Sequence, residues 1–135
     1  MEIILTENAP SPRGHYSQAV VHAGLVYVSG TLPLDPASGQ AVGGEIETQA
    51  ERALENLKAV LEAAGSGLDC VLKVTVYVSD IALWSRVNAV YARYFGEHKP
   101  ARTVAPVNAL HYGCLVEIDA VGYLRGGSGT NPKPS

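Results

Sequence analysis

Cysteine is scarce in this 135-residue chain, which has only Cys70 and Cys114. The two lie far apart and lack the spacing of a metal site, so free thiols in a reducing cytoplasm are the first interpretation. A disulfide between them is the alternative. Nor is either thiol in a setting that favours a nucleophile, and Cys114 fits a small buried hydrophobic residue.

Clustered charge and metal-ligand spacing are also missing. The net charge is −3, and the ten basic residues form no cluster, which argues against a nucleic-acid surface. No HxH or HxxxH pattern occurs among the histidines, so no metal site is expected. The four histidines are His15, His22, His98 and His111.

Long hydrophobic runs are absent as well, so no segment is expected to span a bilayer. The start, "MEIILTENAPSP", does not resemble a signal peptide, and a cytoplasmic location is expected. A hydrophobic content of 47% excludes a wholly disordered chain, and the length suits one domain with its own core. We expect that domain at residues 1–125, followed by a flexible tail at 126–135 without large apolar side chains.

The chain does contain a series of segments in which apolar residues recur with the period of a strand or of a helix. Period-two or β-branched runs predict strands at "QAVVHAG", "GLVYVSGTL", "VLKVTVYVSD", "ARTVAPVNAL" and "CLVEIDAVGYL". A first helix is predicted from Thr48 and Glu51, which have capping-box spacing, to Gly65. Ser79 or Asp80 is predicted to cap a second helix that Gly96 ends; its apolar stripe is Trp84, Val87, Tyr91 and Tyr94.

The predicted order is ββ-α-β-α-ββ, with a further short strand at residues 2–5. This is an α+β pattern, in which one mostly antiparallel sheet carries two helices on one face. No element remains to cover the other face. An uncovered face that is not strongly polar predicts self-association.

Two charged residues, Arg102 and Glu117, lie in the predicted sheet. Alternation in the last strand places Val116, Ile118 and Ala120 under the helices and turns the other set, which includes Glu117 and Asp119, to the open face. Spacing alone is equally met by solvated or salt-bridged surface charges. A role in chemistry therefore needs a further observation.

Four stretches of the sequence supply that further observation: "TENAPSPRGHYSQAV", "VYVSGTLPLDPASG", "VNAVYARYF" and "PARTVAPVNAL…GCLVEIDAVGY". In this order they resemble the Rid (YjgF) family of imine and enamine deaminases, over essentially residues 3–125. The resemblance implies a chorismate-mutase-like α+β domain. It also implies a homotrimer with active sites between subunits.

The resemblance further implies roles for single residues. Arg102 would clamp a substrate carboxylate through its planar fork, and Glu117 would work with the hydrolytic water. Asn88 matches a family asparagine near the site, although a helix-surface amide is an equal alternative. The remaining positions implied in substrate binding are Tyr16, Ser29, Gly30 and Val104.

Three positions depart from the family pattern. Val104 stands where a cysteine is frequent, so a thiol contribution there is excluded. His15 replaces a usual proline, and His111 stands in "LHYG" where "LPxG" is frequent. Both histidines are either exposed loop residues or groups that tune pH dependence or accept a bulkier, more polar substrate.

The implied function is hydrolysis of 2-imino acids of the 2-iminopropanoate or 2-iminobutanoate type to 2-oxo acids and ammonia. Neither a metal nor an organic cofactor is expected, and the expected partners are the small acid and further copies of the chain. Two alternatives stay open: a regulatory trimer that binds a small carboxylate without turnover, and an enzyme for a bulkier imine. Some family members have been proposed as ribonucleases, but the acidic balance argues against strong RNA contact.

Overall fold

The computed structural model describes residues 1–126, so all of the predicted tail except Gly126 lies outside the described residues. Within them the chain forms one six-stranded sheet and two α-helices. The strands are β1 (Glu2–Ile4), β2 (Ala19–His22), β3 (Leu25–Thr31), β4 (Val71–Val78), β5 (Ala101–Pro106) and β6 (Val116–Tyr123). The helices are α1 (Ile46–Ala63) and α2 (Trp84–Phe95).

The sheet has the strand order β1-β2-β3-β6-β4-β5. All neighbours are antiparallel except β4 and β5, which run parallel. The turn at His111–Gly113 therefore connects two strands that are not neighbours, because β4 lies between β5 and β6. The mostly antiparallel α+β architecture predicted from the sequence is confirmed.

The start of α1 differs from the prediction. The helix begins at Ile46 with Glu45 as its N-cap, and no side chain caps it, so Thr48 already lies inside the first turn. The capping-box interpretation of Thr48 and Glu51 was wrong. Ile46 is only 2% exposed, and its burial in the core accounts for the earlier helix start.

The approach to α2 follows the prediction more closely. The Asp80 carboxylate accepts a hydrogen bond from the backbone N–H of Ala82 at 2.9 Å, which caps the short 3-10 turn that leads into the helix. Gly96, with a positive φ of 61°, ends α2.

The core lies between the helices and one face of the sheet. Val74, Val76 and Val78 of β4 are fully buried, and so are their β6 neighbours Val116 and Ile118. The opposite face has no covering element among residues 1–126. It presents Lys73, Thr75, Tyr77, Glu117, Asp119 and Val121, together with Tyr27, which is 43% exposed.

Both cysteines are buried and unpaired, so the free-thiol interpretation holds. Burial also raises the pKa of the Cys114 thiol, which makes it a poorer nucleophile. Across the described residues, neither helix combines the length and the apolar character needed to cross a membrane.

Candidate active site

Glu117 lines a cleft of about 520 Å³ on the open side of the sheet. A β-bulge creates the wall beside it: β3 pairs through Val28 with Ala120 and through Thr31 with Ile118, so β3 carries one extra residue. The extra length is taken up around Gly30. A Cβ atom at Gly30 would lie 3.0 Å from Glu117 Cδ and closer still to Oε2, so only glycine admits the carboxylate here.

The Glu117 carboxyl is half-buried, and this burial raises its pKa above the ordinary value for glutamate. The nearby His111 counteracts this shift in the Glu117 pKa, and the negative charge of Asp119 adds to it. The Tyr77 hydroxyl donates a hydrogen bond to Asp119 Oδ2 at 3.0 Å, and this bond stabilises part of the negative charge of Asp119. A carboxylate with a raised pKa is a stronger base, and this is the property that proton transfer from water requires.

Ser29 and Tyr16 line the same cleft. The Ser29 hydroxyl donates to the Ser17 carbonyl at 2.6 Å, and the Ser29 N–H donates to the Gln18 carbonyl at 3.0 Å. These bonds fix the bulge against the loop that carries Tyr16, whose ring is 53% exposed and faces the cleft. The cleft is therefore bounded by backbone held in place on one side and by an accessible phenol on the other.

Arg102 lies at a second cleft, of about 340 Å³, between α2 and the edge strand β5. Its guanidinium stands 4.6 Å from the centre of the Trp84 ring and 4.9 Å from that of Tyr91. Its Nη1 donates to Asn88 Oδ1 at 3.0 Å. Within residues 1–126 no carboxylate pairs with Arg102, so its charge is oriented but not neutralised.

Asn88 is therefore more than a surface amide, because it orients the arginine. Val104 lies two residues beyond Arg102 on the same side of β5 and packs against the core. It lines neither of the two clefts described here. Its predicted contact with substrate stays a prediction.

Arg102 and Glu117 point to opposite faces of the sheet. Arg102 pairs in register with the buried Val74, and residues in register share a face, so its side chain is on the helix side. Glu117 pairs with Tyr77 on the open side. A single chain therefore holds the two predicted catalytic residues in separate clefts.

Several residues at the two clefts were not predicted as part of a site. Trp84 and Tyr91 were assigned only to the apolar stripe of α2, yet with Asn88 they occupy positions i, i+7 and i+4 of one helix face. An asparagine within an aromatic stripe was the available signal. Arg13 was missed altogether, although it lines the Glu117 cleft with His111 and Tyr112.

Comparison with known proteins gives a consistent result. The family model described as Endoribonuclease L-PSP matches residues 6–124. A RutC family protein of Pyrococcus horikoshii is 48% identical over 90% of this chain and 97% of its own length. The 2-iminobutanoate/2-iminopropanoate deaminase of Bos taurus is 46% identical over 89% of this chain and 88% of its own length.

A solved structure, E. coli TdcF with bound serine, superposes with a TM-score of 0.87 at 33% identity. The aligned region covers 91% of this chain and 98% of the TdcF chain. Fold, matched length and sequence identity agree, and the chain therefore belongs to the Rid (YjgF) family, whose model carries the Endoribonuclease L-PSP description.

Proposed function

We propose that this protein hydrolyses reactive 2-imino acids, and their enamine tautomers, to 2-oxo acids and ammonia. The observation that carries the proposal is that each of the two clefts holds one of the two charged groups that the reaction needs. One offers an oriented arginine without an acid partner in residues 1–126, and the other a half-buried glutamate with a raised pKa. A 2-imino acid, with a carboxylate next to a C=N bond, needs both groups.

The two clefts act together when a second copy of the chain packs on the open face of the sheet. Arg102 of one copy then faces the Glu117 cleft of the next, because within one copy they lie on opposite faces. Three copies in a ring give three equivalent sites, since each copy lends one cleft to each neighbour. The open face supplies the apolar surface, with Ile3 61% and Tyr27 43% exposed.

Arg102 binds the carboxylate in this proposal. Two parallel N–H groups of a guanidinium match the two oxygens of a carboxylate, and the bond that Asn88 accepts from Nη1 sets the plane of the fork. The aromatic rings of Trp84 and Tyr91 limit its movement. Fixing the carboxylate also fixes the neighbouring imine carbon in front of the attacking water.

Glu117 transfers the protons in this proposal. In its ionised form it takes a proton from water as the oxygen bonds to the imine carbon, and it passes that proton to the imine nitrogen, which gives a carbinolamine. It then moves the proton of the new hydroxyl to the same nitrogen, so that the C–N bond breaks, the C=O bond forms and ammonia leaves. In total, R–C(=NH)–COO⁻ and H₂O give R–C(=O)–COO⁻ and NH₃, with no change of oxidation state. For an enamine tautomer, the protonated carboxyl first delivers a proton to carbon.

The remaining predicted residues shape the cleft. Gly30 admits the carboxylate of Glu117, Ser29 holds the bulge, and Tyr16 offers a hydroxyl and a ring face to the substrate. Val104 stays a predicted substrate contact; within one copy it packs against the core on the strand that bears Arg102. The deaminase name of the Bos taurus relative and the serine bound to E. coli TdcF support a small amino-acid-like ligand.

The test is the rate of ammonia release from freshly made imines. An amino acid oxidase converts D-alanine to 2-iminopropanoate, and semicarbazide traps whatever imine is left. We expect the protein to speed ammonia release and to lower the yield of semicarbazone, while Glu117→Gln does neither. Ammonia release at the buffer rate, together with calorimetric binding of 2-oxobutanoate, would instead support the carboxylate-binding alternative.

A further inference from the structure

Arg13 is one of three arginines that lack an acid partner in the described part of the chain, together with Arg52 and Arg102. Of the six arginines there, Arg86, Arg93 and Arg125 form ion pairs with Asp or Glu at 2.7–3.0 Å. Arg52 donates to the Asn56 side chain. Arg102 and Arg13 remain, and each lines one of the two clefts.

The Arg13 guanidinium is held in place although its side chain is exposed. Its Nη2 donates to the backbone carbonyl of Gly39 in a short contact, and its Cζ stands 5.3 Å from the centre of the Tyr112 ring. Gly39 has a φ of 73°, a conformation that favours glycine. A guanidinium anchored by an uncharged carbonyl and a ring keeps its full charge.

Tyr112 reaches that position through an uncommon backbone conformation. Its φ of 62° and ψ of 22° lie in the left-handed region, which a bulky residue seldom adopts. Such conformations cluster at binding sites, where the surrounding structure maintains them. Here the turn at His111–Gly113 places the Tyr112 ring against Arg13 on the rim of the cleft.

Arg13 and Glu117 line the same cleft without forming an ion pair, so their charged atoms stand more than 4 Å apart. A volume of about 520 Å³ also falls in the range of sites that enclose ligands much larger than a three-carbon acid. The cleft therefore offers both room and, at Arg13, a positive charge that does not pair with Glu117.

We propose that Arg13 makes this site selective for 2-imino acids whose side chain ends in a second carboxylate, such as 2-iminosuccinate or 2-iminoglutarate. The proposal rests on the imine hydrolysis proposed above. Arg102 of the neighbouring copy takes the carboxylate next to the imine, Glu117 works on the water, and Arg13 takes the distal carboxylate. The reaction itself is unchanged, with water added and ammonia released.

The comparison uses diacids and monoacids of equal chain length. 2-Iminosuccinate is made from D-aspartate with D-aspartate oxidase, and 2-iminobutanoate from D-2-aminobutanoate with D-amino acid oxidase. We expect kcat/KM of the natural protein to favour the diacid by about 10- to 100-fold, the contribution of one charge-assisted pair. In Arg13→Met this ratio falls to about one, and Arg13→Lys restores part of it.

Arg93→Met is the matched control. Arg93 is likewise an exposed arginine beside a tyrosine ring, 6.0 Å from the centre of Tyr94, but it pairs with Glu51 and lines neither cleft. We expect it to keep the diacid preference of the natural protein. A preference for the monoacid, or an Arg13→Met variant that loses both activities in the same proportion, would overturn the role of Arg13. If neither imine is hydrolysed faster than in buffer, the function itself is wrong.

Discussion

Arg102 illustrates how much a single side chain depends on its shape. Asn88 accepts a bond from one nitrogen of the fork at 3.0 Å, and the rings of Trp84 and Tyr91 lie within 5 Å of its central carbon. Lysine keeps the charge but has neither the plane that stacks on the rings nor the paired donors.

Arg102→Lys should therefore lose most of the imine hydrolysis. Losing one charge-assisted hydrogen bond costs about 1.5–3 kcal/mol, which corresponds to roughly 10- to 150-fold in kcat/KM. Steady-state kinetics measure this loss, and sedimentation checks that the assembly is intact. Near-normal kinetics in the lysine variant would show that the carboxylate is bound elsewhere.

The raised pKa of Glu117 should make the stability of the folded protein depend on pH. A carboxyl whose pKa is higher in the folded state than in the unfolded chain stabilises the fold most when the pH is below its unfolded pKa. This stabilisation is lost as the pH rises through its folded pKa. At neutral pH the native protein therefore carries the cost of a half-buried charge.

Glu117→Gln removes that charge, so it should raise the Tm at pH 7 and have a smaller effect near pH 4. The same variant should lose about 10²- to 10⁴-fold in imine hydrolysis, because an amide cannot accept and return a proton. Thermal unfolding at the two pH values tests the first expectation. A Tm that falls equally at both would make Glu117 a structural residue.

Among the elements, the bulge in β3 has the most direct link to the proposed catalysis. It brings the backbone of Gly30 against the carboxylate of Glu117, with no room for a Cβ atom. Gly30→Ala should displace the carboxylate, and a shift of about 1 Å at a catalytic group can cost about 100-fold in rate.

Gly43→Ala is the control for Gly30→Ala. A Cβ atom at Gly43 meets nothing within 4 Å, and its φ is not positive, so activity should be retained. Kinetics of both variants decide the matter. Equal activity in the two would mean that the close approach at Gly30 has no part in the reaction.

The elements themselves were predicted well because burial repeats with the period of each structure. Alternation in β6 correctly placed Val116, Ile118 and Ala120 under the helices and Glu117 on the open face. Two residues join β2 and β3: Ala23 and Gly24 have φ of 52° and 81°, as a two-residue hairpin requires.

Neighbour relations between strands were not predictable in the same way. Nothing in the local pattern of β5 says that it joins β4 in parallel, and this pairing is what turns Arg102 to the helix side. The role of Arg13 was also hidden, because it depends on Gly39 and Tyr112, which are distant in sequence. Both outcomes follow from tertiary contacts, which a local period cannot encode.

The assembly that we expect is based on the difference between the two faces of the sheet. One row on the open face runs from Ile3 through Val20 and Tyr27 to Val121, and no element in residues 1–126 covers it. We expect a homotrimer in solution, and sedimentation equilibrium measures its mass. A stable monomer at micromolar concentration would remove the shared site.

The most direct test mixes two inactive variants, Arg102→Ala and Glu117→Gln, and lets their subunits exchange. If Arg102 and Glu117 act across an interface, a site is complete whenever each residue comes from the variant that retains it. Random exchange then restores about a quarter of the natural activity, in a closed ring of any size. Activity that stays at the mean of the two variants, after exchange is verified, would contradict a site shared between copies.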